Sequence, residues 1–337
     1  PAISRSIRSP YLQEYGLDIQ LEPARNWLWD LAYLGSYGSR LTGCVQFNQA
    51  ELASAAHVVR GLTTSTLENL QLRVPVLGVG GGSFECKTAF HSNYNALQTS
   101  LRERLHRGLT LNVSYTFSRS LDVSSGGGNA SAFDLSFITN DQTDPNNAYG
   151  PSDFDRTHRF VLSFVERAPD LRGRPWLVRQ ALSRWQFSGI LVLQSGLPIT
   201  PIDSTAGSIY GNSVSQVRAE CTGAPPAASG PLVNRLSGYF NIAGFAPPPV
   251  IGDGTGFGSC GTGIVRGPGQ RNLDFSVQRA LYVSDRGNLA FRAEFFDLTN
   301  TPNFGLPARD FSSPSFGVIS STASNPRIVQ LALKYDF

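Results

Sequence analysis

The chain has 337 residues, 41% of them hydrophobic and 16% charged, with 34 Gly and 21 Pro. That is room for one large domain or two ordinary ones, ordered but rich in loops. The net charge is only +3 and the Lys and Arg residues are scattered, which excludes a nucleic-acid footprint. No apolar run approaches the roughly 20 residues of a membrane-spanning helix, so membrane residence is open only to a barrel.

In chain order, nine segments show a period of two, the pattern of a strand with one greasy and one wet face. The first is 11–21. The second, 27–35, has Trp27, Trp29, Leu31 and Tyr33 in phase. Segment 95–105 sets Leu97, Leu101 and Leu105 against Gln98, Ser100, Arg102 and Arg104. Segment 109–119 alternates most regularly: Leu109, Leu111, Val113, Tyr115 and Phe117 face Thr110, Asn112, Ser114, Thr116 and Ser118. Segment 159–165 carries Phe160, Leu162 and Phe164. Segment 184–194 opposes Trp185, Phe187, Leu191 and Leu193 to Arg184, Gln186, Ser188 and Gln194. Segment 271–282 has Leu273, Phe275 and Val277 against Asn272, Asp274, Ser276 and Gln278. Segment 288–299 places Leu289, Phe291, Ala293 and Phe295 opposite Arg292 and Glu294, and the parity slip at Phe296 predicts a bulge. The last, 327–337, aligns Val329, Leu331, Leu333, Tyr335 and Phe337 against Gln330, Lys334 and Asp336. A soluble sandwich edge would show the same local pattern. A strand ending on an aromatic residue, with charges on its wet face, fits the closing strand of an outer-membrane barrel.

The connections separate the two readings. Residues 22–26, 106–108 and 284–287 are tight turns, and 167–183 is moderate and basic. Between them come the long stretches 42–92, 120–157, 201–270 and 300–326, rich in Gly, Pro, Ser and Asn. Such barrels combine short periplasmic turns with long outer loops, whereas a sandwich imposes no such alternation. The expected fold is therefore all-β, an antiparallel transmembrane barrel portion spanning residues 1–337 with no plug domain. Single-chain bacterial barrels have an even strand count and no open edge in lipid, so nine strands imply a fragment of a larger barrel or part of an assembled one. The absence of Met and of a signal peptide points the same way.

Ordered stretches along the chain resemble the Oar-like TonB-dependent receptor barrels common in Acidobacteria and Myxobacteria. They include Ser9-Pro-Tyr-Leu-Gln-Glu-Tyr15, Ser92-Asn-Tyr-Asn-Ala-Leu-Gln98, Ser114-Tyr-Thr-Phe-Ser-Arg-Ser120 and Ser152-Asp-Phe-Asp-Arg-Thr-His-Arg159. Trp185-Gln-Phe-Ser-Gly-Ile190 and Arg292-Ala-Glu-Phe-Phe-Asp-Leu-Thr-Asn-Thr-Pro-Asn-Phe304 continue the series. The resemblance implies the C-terminal portion of a barrel of about 22 strands. It also implies TonB acting through a plug and TonB box outside this sequence, and a C-terminal signal (Leu331, Leu333, Tyr335, Phe337) read by the barrel-assembly machinery.

Cys44 and Cys86 share one long stretch, and Cys221 and Cys260 another. Of the three possible pairings, bridging within each stretch is favoured, since each bridge would pin a loop on the oxidising cell surface. Each would be worth roughly 4 kcal/mol by the chain-entropy relation. Asp141, Asp144, Asp153 and Asp155, with Asn146 and Asn147, could offer hard oxygens to Ca²⁺, but they match no calcium-loop spacing and are ordinary turn formers. His158 reads as a rim or lumen residue holding loops together. The glycine runs at 78–82 and 126–128 open no helix and so cradle no phosphate. No catalytic constellation is present in the sequence, so an enzyme is not expected and neither is a cofactor or metal. Aromatics near strand ends (Trp27, Trp29, Trp185, Tyr335) suit interfacial belts. The loop aromatics Tyr149, Tyr210, Tyr239 and Phe245 are the candidates for ligand contact, with carbohydrate or peptide as the ligand class. Expected partners are the lipid bilayer of the outer membrane, the assembly machinery and TonB. The expected function is an outer-membrane receptor or transporter barrel; the alternative is a structural or adhesive surface protein without active transport.

Overall fold

The computed structural model describes residues 2–80, 83–104, 108–125, 138–169, 171, 173–211, 217–251, 256–284 and 287–336. Its frame is one antiparallel sheet in which each long strand pairs with its neighbours in sequence. These strands are β1 (Tyr11–Leu21), β2 (Trp27–Gln46), β3 (Phe84–Arg104), β4 (Leu109–Asp122) and β5 (His158–Arg167). They continue as β6 (Trp185–Gln194), β7 (Gln270–Ser284), β8 (Gly287–Phe296) and β9 (Ile328–Asp336). Because consecutive strands are antiparallel, the connections after β1, β3, β5 and β7 lie at one end and are the short ones. The four long connections share the other end. Every segment picked out by alternation falls on one of these strands, although 288–299 runs three residues past the end of β8, 184–194 and 327–337 each begin one residue before their strand, and Leu105 and Phe337 lie outside the described residues.

Register shows what the alternation builds. Tyr115 pairs with Phe160, which pairs with Leu193; Val113 pairs with Leu162, then Leu191, then Leu273. Arg279, Phe291 and Leu333 follow on the same side across β7–β9, as do Val277, Ala293 and Leu331. All ten residues expected to face lipid (Leu111, Val113, Tyr115, Phe187, Leu191, Leu273, Phe275, Phe291, Leu331 and Leu333) therefore fall on one face. Asn112, Ser114, Asn272, Arg292 and Lys334 fall on the other. The side chain of Asp336 and the whole of Phe337 lie outside the described residues. Two glycines on the apolar face make room for neighbouring rings. A Cβ at Gly189 would sit 2.6 Å from Phe164, whose ring meets that of Phe275 at 6.5 Å across the vacant position. A Cβ at Gly35 would sit 2.1 Å from Tyr15.

Two expectations are corrected. β2 runs on to Gln46 and β3 begins at Phe84, so Cys44 and Cys86 are not in a loop but face each other across the two strands. Arg40, at a φ of 55°, marks the irregular register between Gly38 and Leu41 that lets the pair continue. The parity slip at Phe296 is not a bulge: β8 ends there, and Asp297 turns the chain at a φ of 51° while its N–H donates to Asp274 Oδ1 at 2.9 Å. Among the described residues, helical pieces at Leu70–Arg73 and Ser204–Ile209 and three small cores order parts of the long connections.

Candidate functional site

The polar face and the cap of loops above it are where the side chains capable of binding gather. On the polar face, cross-strand neighbours are joined by hydrogen bonds within and between strands. Arg292 Nη2 contacts Glu294 Oε1 at 2.5 Å, and Asn272 Nδ2 donates to Asp274 Oδ1 at 2.9 Å. Gln194 Nε2 donates to Gln270 Oε1 at 2.6 Å, while Asp30 accepts from Gln20 Nε2 at 2.6 Å and Ser100 Oγ at 2.9 Å. A trough of about 410 Å³ runs among Asn112, Ser163, Ser188, Asp274, Arg292 and Glu294. A second, of about 340 Å³, lies nearer the long loops between Tyr94, Gln98, Thr116, Arg156 and Arg159. Side chains of both charge signs with many amides and hydroxyls make this a surface for water and polar solute.

The cap forms because each loop buries what its neighbour supplies. One core joins Ile199, Tyr239, Phe240 and Phe245 to Phe316 of the last long connection. Another packs Ala206, Tyr210, Val217 and Val250 against Leu52 of the first. Three arginines then lock the loops together. Arg73, fully buried, donates to the carbonyl oxygens of Glu51 (2.6 Å), Thr66 (3.0 Å) and Ile209 (2.7 Å). Arg218 donates to Asn147 O at 2.8 Å and Thr262 Oγ1 at 3.1 Å. Burial lowers the pKa of both guanidinium groups, yet groups that start so high remain charged at neutral pH. Arg266 pairs with the fully buried carboxylate of Asp155, whose Oδ1 also accepts from Ser120 N at 2.6 Å. These arginines carry no sequence signature, since most of their partners are backbone carbonyls of distant loops.

The carboxylates of Asp141, Asp144 and Asp155 are engaged by neighbouring backbone, by Gln49 and by Arg266. Asp141 Oδ1 accepts from Thr143 N at 2.8 Å and Gln49 Nε2 at 3.2 Å, and Asp144 Oδ1 accepts from Asn146 N at 3.1 Å. Among the described residues no three His, Cys, Asp or Glu side chains gather as a metal site. Tyr210, Tyr239 and Phe245 are buried in the loop cores. The Tyr210 hydroxyl donates to Gly256 O and that of Tyr239 to Arg266 O, each at 2.7 Å; burial raises the pKa of both phenols. Of the four loop aromatics only Tyr149, its ring tilted against that of His91 at 4.6 Å, is exposed. His158 stands not in the lumen but on the apolar face at the loop end, its Nδ1 2.8 Å from Tyr115 Oη and its ring 5.2 Å from that of Phe117. The bridges are Cys44–Cys86 and Cys221–Cys260, and the described residues contain no free cysteine.

A sheet greasy on one face and wet on the other, with short turns at one end, is an outer-membrane design, and comparison agrees. The family described as outer membrane beta barrel domain matches residues 1–330. The chain belongs to that family. It is an outer-membrane protein. Among solved structures it is similar to the outer membrane transporter YddB from Escherichia coli, with a TM-score of 0.46 and 9% identity. That match covers 99% of this chain and 33% of the other, so the chain spans about a third of that protein's length. No curated protein matches.

Proposed function

We propose that this chain is the C-terminal portion of a TonB-dependent, Oar-like receptor or transporter barrel of about 22 strands when whole. The observation that carries the reading is the division of the sheet into a predominantly apolar face and a polar face holding the Arg292–Glu294 pair, under a cap shared by the long loops. In this reading the cap captures ligand and the polar face lines its path. The strands do no chemistry, and the seam of β9 is closed by strands outside this sequence with the help of the assembly machinery. The burial of Tyr210, Tyr239 and Phe245 favours the second reading, a rigid adhesive or structural surface, because it leaves few rings free to grip a ligand. Capture of the purified C-terminal domain of TonB by the full-length parent protein in detergent separates the two. Saturable capture that is lost when the parent's N-terminal region is removed supports transport; no capture by the intact parent overturns it.

A further inference from the structure

The connection between β5 and β6 holds the helix Trp176–Leu182. It follows Pro175, whose fixed φ suits a helix start, and it is far too short to be stable in water alone. Its large side chains nevertheless point outward: Trp176 is 64% exposed, Leu177 70% and Leu182 59%. Its tethers are at the C-terminal end. Ser183 is buried and its Oγ accepts from Leu171 N at 3.1 Å, while Trp185 Nε1 donates to Ala181 O at 2.8 Å.

The second tether shows on which side of the sheet the helix lies. Trp185 belongs to the apolar face: it pairs with Arg279 in the ladder, its ring lies 6.3 Å from Phe187, and the Arg279 guanidinium covers it at 5.0 Å. A cation laid over an indole at the end of an apolar strand face marks a hydrocarbon–headgroup boundary, where both groups keep a polar end wet. The helix thus hangs from the boundary itself, on the lipid side, with its apolar residues continuing that face. Arg174 and Arg179 are exposed beside them, giving a charge that complements anionic phosphates.

We propose that Trp176–Leu182 is an interfacial foot: it lies in the periplasmic leaflet, with Leu177 and Leu182 among the acyl-chain ends and Arg174 and Arg179 on phospholipid phosphates. It fixes the depth of the β5–β6 end in the bilayer. The proposal rests on the assignment of the apolar sheet face to lipid.

The test is nitroxide accessibility in the full-length parent protein reconstituted into phosphatidylethanolamine–phosphatidylglycerol vesicles. Labels are carried by Leu177→Cys on the helix, Leu191→Cys on the apolar face of β6 and Ser188→Cys on its polar face. The expected result places the Leu177 label about 5–10 Å into the headgroup–acyl boundary, shallower than Leu191, with Ser188 on the aqueous side. An aqueous signal at Leu177 beside a lipid signal at Leu191 overturns the foot alone. Protection of Leu177 from both oxygen and aqueous nickel overturns it too, in favour of a second copy or another protein covering the helix. An aqueous signal at Leu191 overturns the lipid-face assignment and the foot with it.

Discussion

The two disulfides join cysteines 42 and 39 residues apart, so the chain-entropy relation assigns each about 4 kcal/mol against full unfolding. Their positions predict different effects on loop opening. Cys44 and Cys86 are direct cross-strand partners, with Gly43–Lys87 and Val45–Glu85 paired on either side. The ladder already holds the base of that loop, so opening residues 47–83 gains little freedom from cutting the bridge. Cys221 and Cys260 sit well inside the connection after β6, where Cys221 pairs with Phe245 in a two-residue ladder, its N–H donates to Ser259 Oγ at 3.2 Å, and Cys260 N–H donates to Ala219 O at 3.1 Å. That bridge encloses Tyr239, Phe240 and Phe245 of the first loop core, and among the described residues the segment's ends are joined by short pairings and this small core rather than by a long ladder like that of β2 and β3. Replacing Cys221 and Cys260 by Ala should release nearly the full term, about 4 kcal/mol, or roughly a thousandfold in the opening equilibrium. Replacing Cys44 and Cys86 should change it less than about tenfold. Proteolysis of the protein in vesicles reads the difference directly, provided reclosing outpaces cleavage, because the rate then follows the open population. Equal acceleration by the two double replacements, or less than tenfold for Cys221 and Cys260, would refute the reasoning.

Leu191→Arg should destabilise the folded protein in phospholipid bilayers by roughly 2–4 kcal/mol and Ser188→Arg by far less, measured by reversible urea unfolding; equal costs would contradict the two-faced sheet. Arg266→Gln leaves the fully buried Asp155 carboxylate without its cation and should cost about 3–5 kcal/mol in loop stability. Adding Asp155→Asn should restore part of that loss in a double-mutant cycle followed by hydrogen exchange, and strict additivity would argue against a direct pair. Asp203 caps Ser204–Ile209 from a buried position, and burial raises its pKa, with Asp310 nearby adding to the effect. A raised carboxylate is held protonated longer in the folded state, so its charge opposes folding above the raised value and has no effect below the unfolded one, near 3.9. Asp203→Asn, which can still cap, should therefore slow exchange of the helix amides at pH 7 and leave it unchanged near pH 3; faster exchange at pH 7 would count against this.

The strands were legible because a period of two survives wherever one face meets a uniform environment; Leu109 to Phe117 alternate without a break, and the register follows from it. The outer extensions of β2 and β3 were hidden by Gly35, Gly38 and Gly43, which supply no side chain to the pattern, and by the irregularity around Arg40. The helix Trp176–Leu182 was masked by its brevity within a basic connection. Which cysteines pair could be argued from chain topology, but not that Cys44 and Cys86 lie in strands. The loop cap was the least legible part. Arg73 and Arg218 bind mostly carbonyl oxygens, which every residue possesses, so no residue type announces a partner. Tyr210 and Tyr239 looked like ligand contacts because a ring in a polar loop has the same composition whether it faces a ligand or a private core.

The most direct test of the account is a nitroxide scan along β4, one label at a time from residue 110 to 117, in the full-length parent protein reconstituted into phospholipid vesicles. The account predicts that oxygen accessibility peaks at Leu111, Val113, Tyr115 and Phe117 and aqueous nickel accessibility at Thr110, Asn112, Ser114 and Thr116. Nickel accessibility at all eight positions, or the opposite phase, would contradict it.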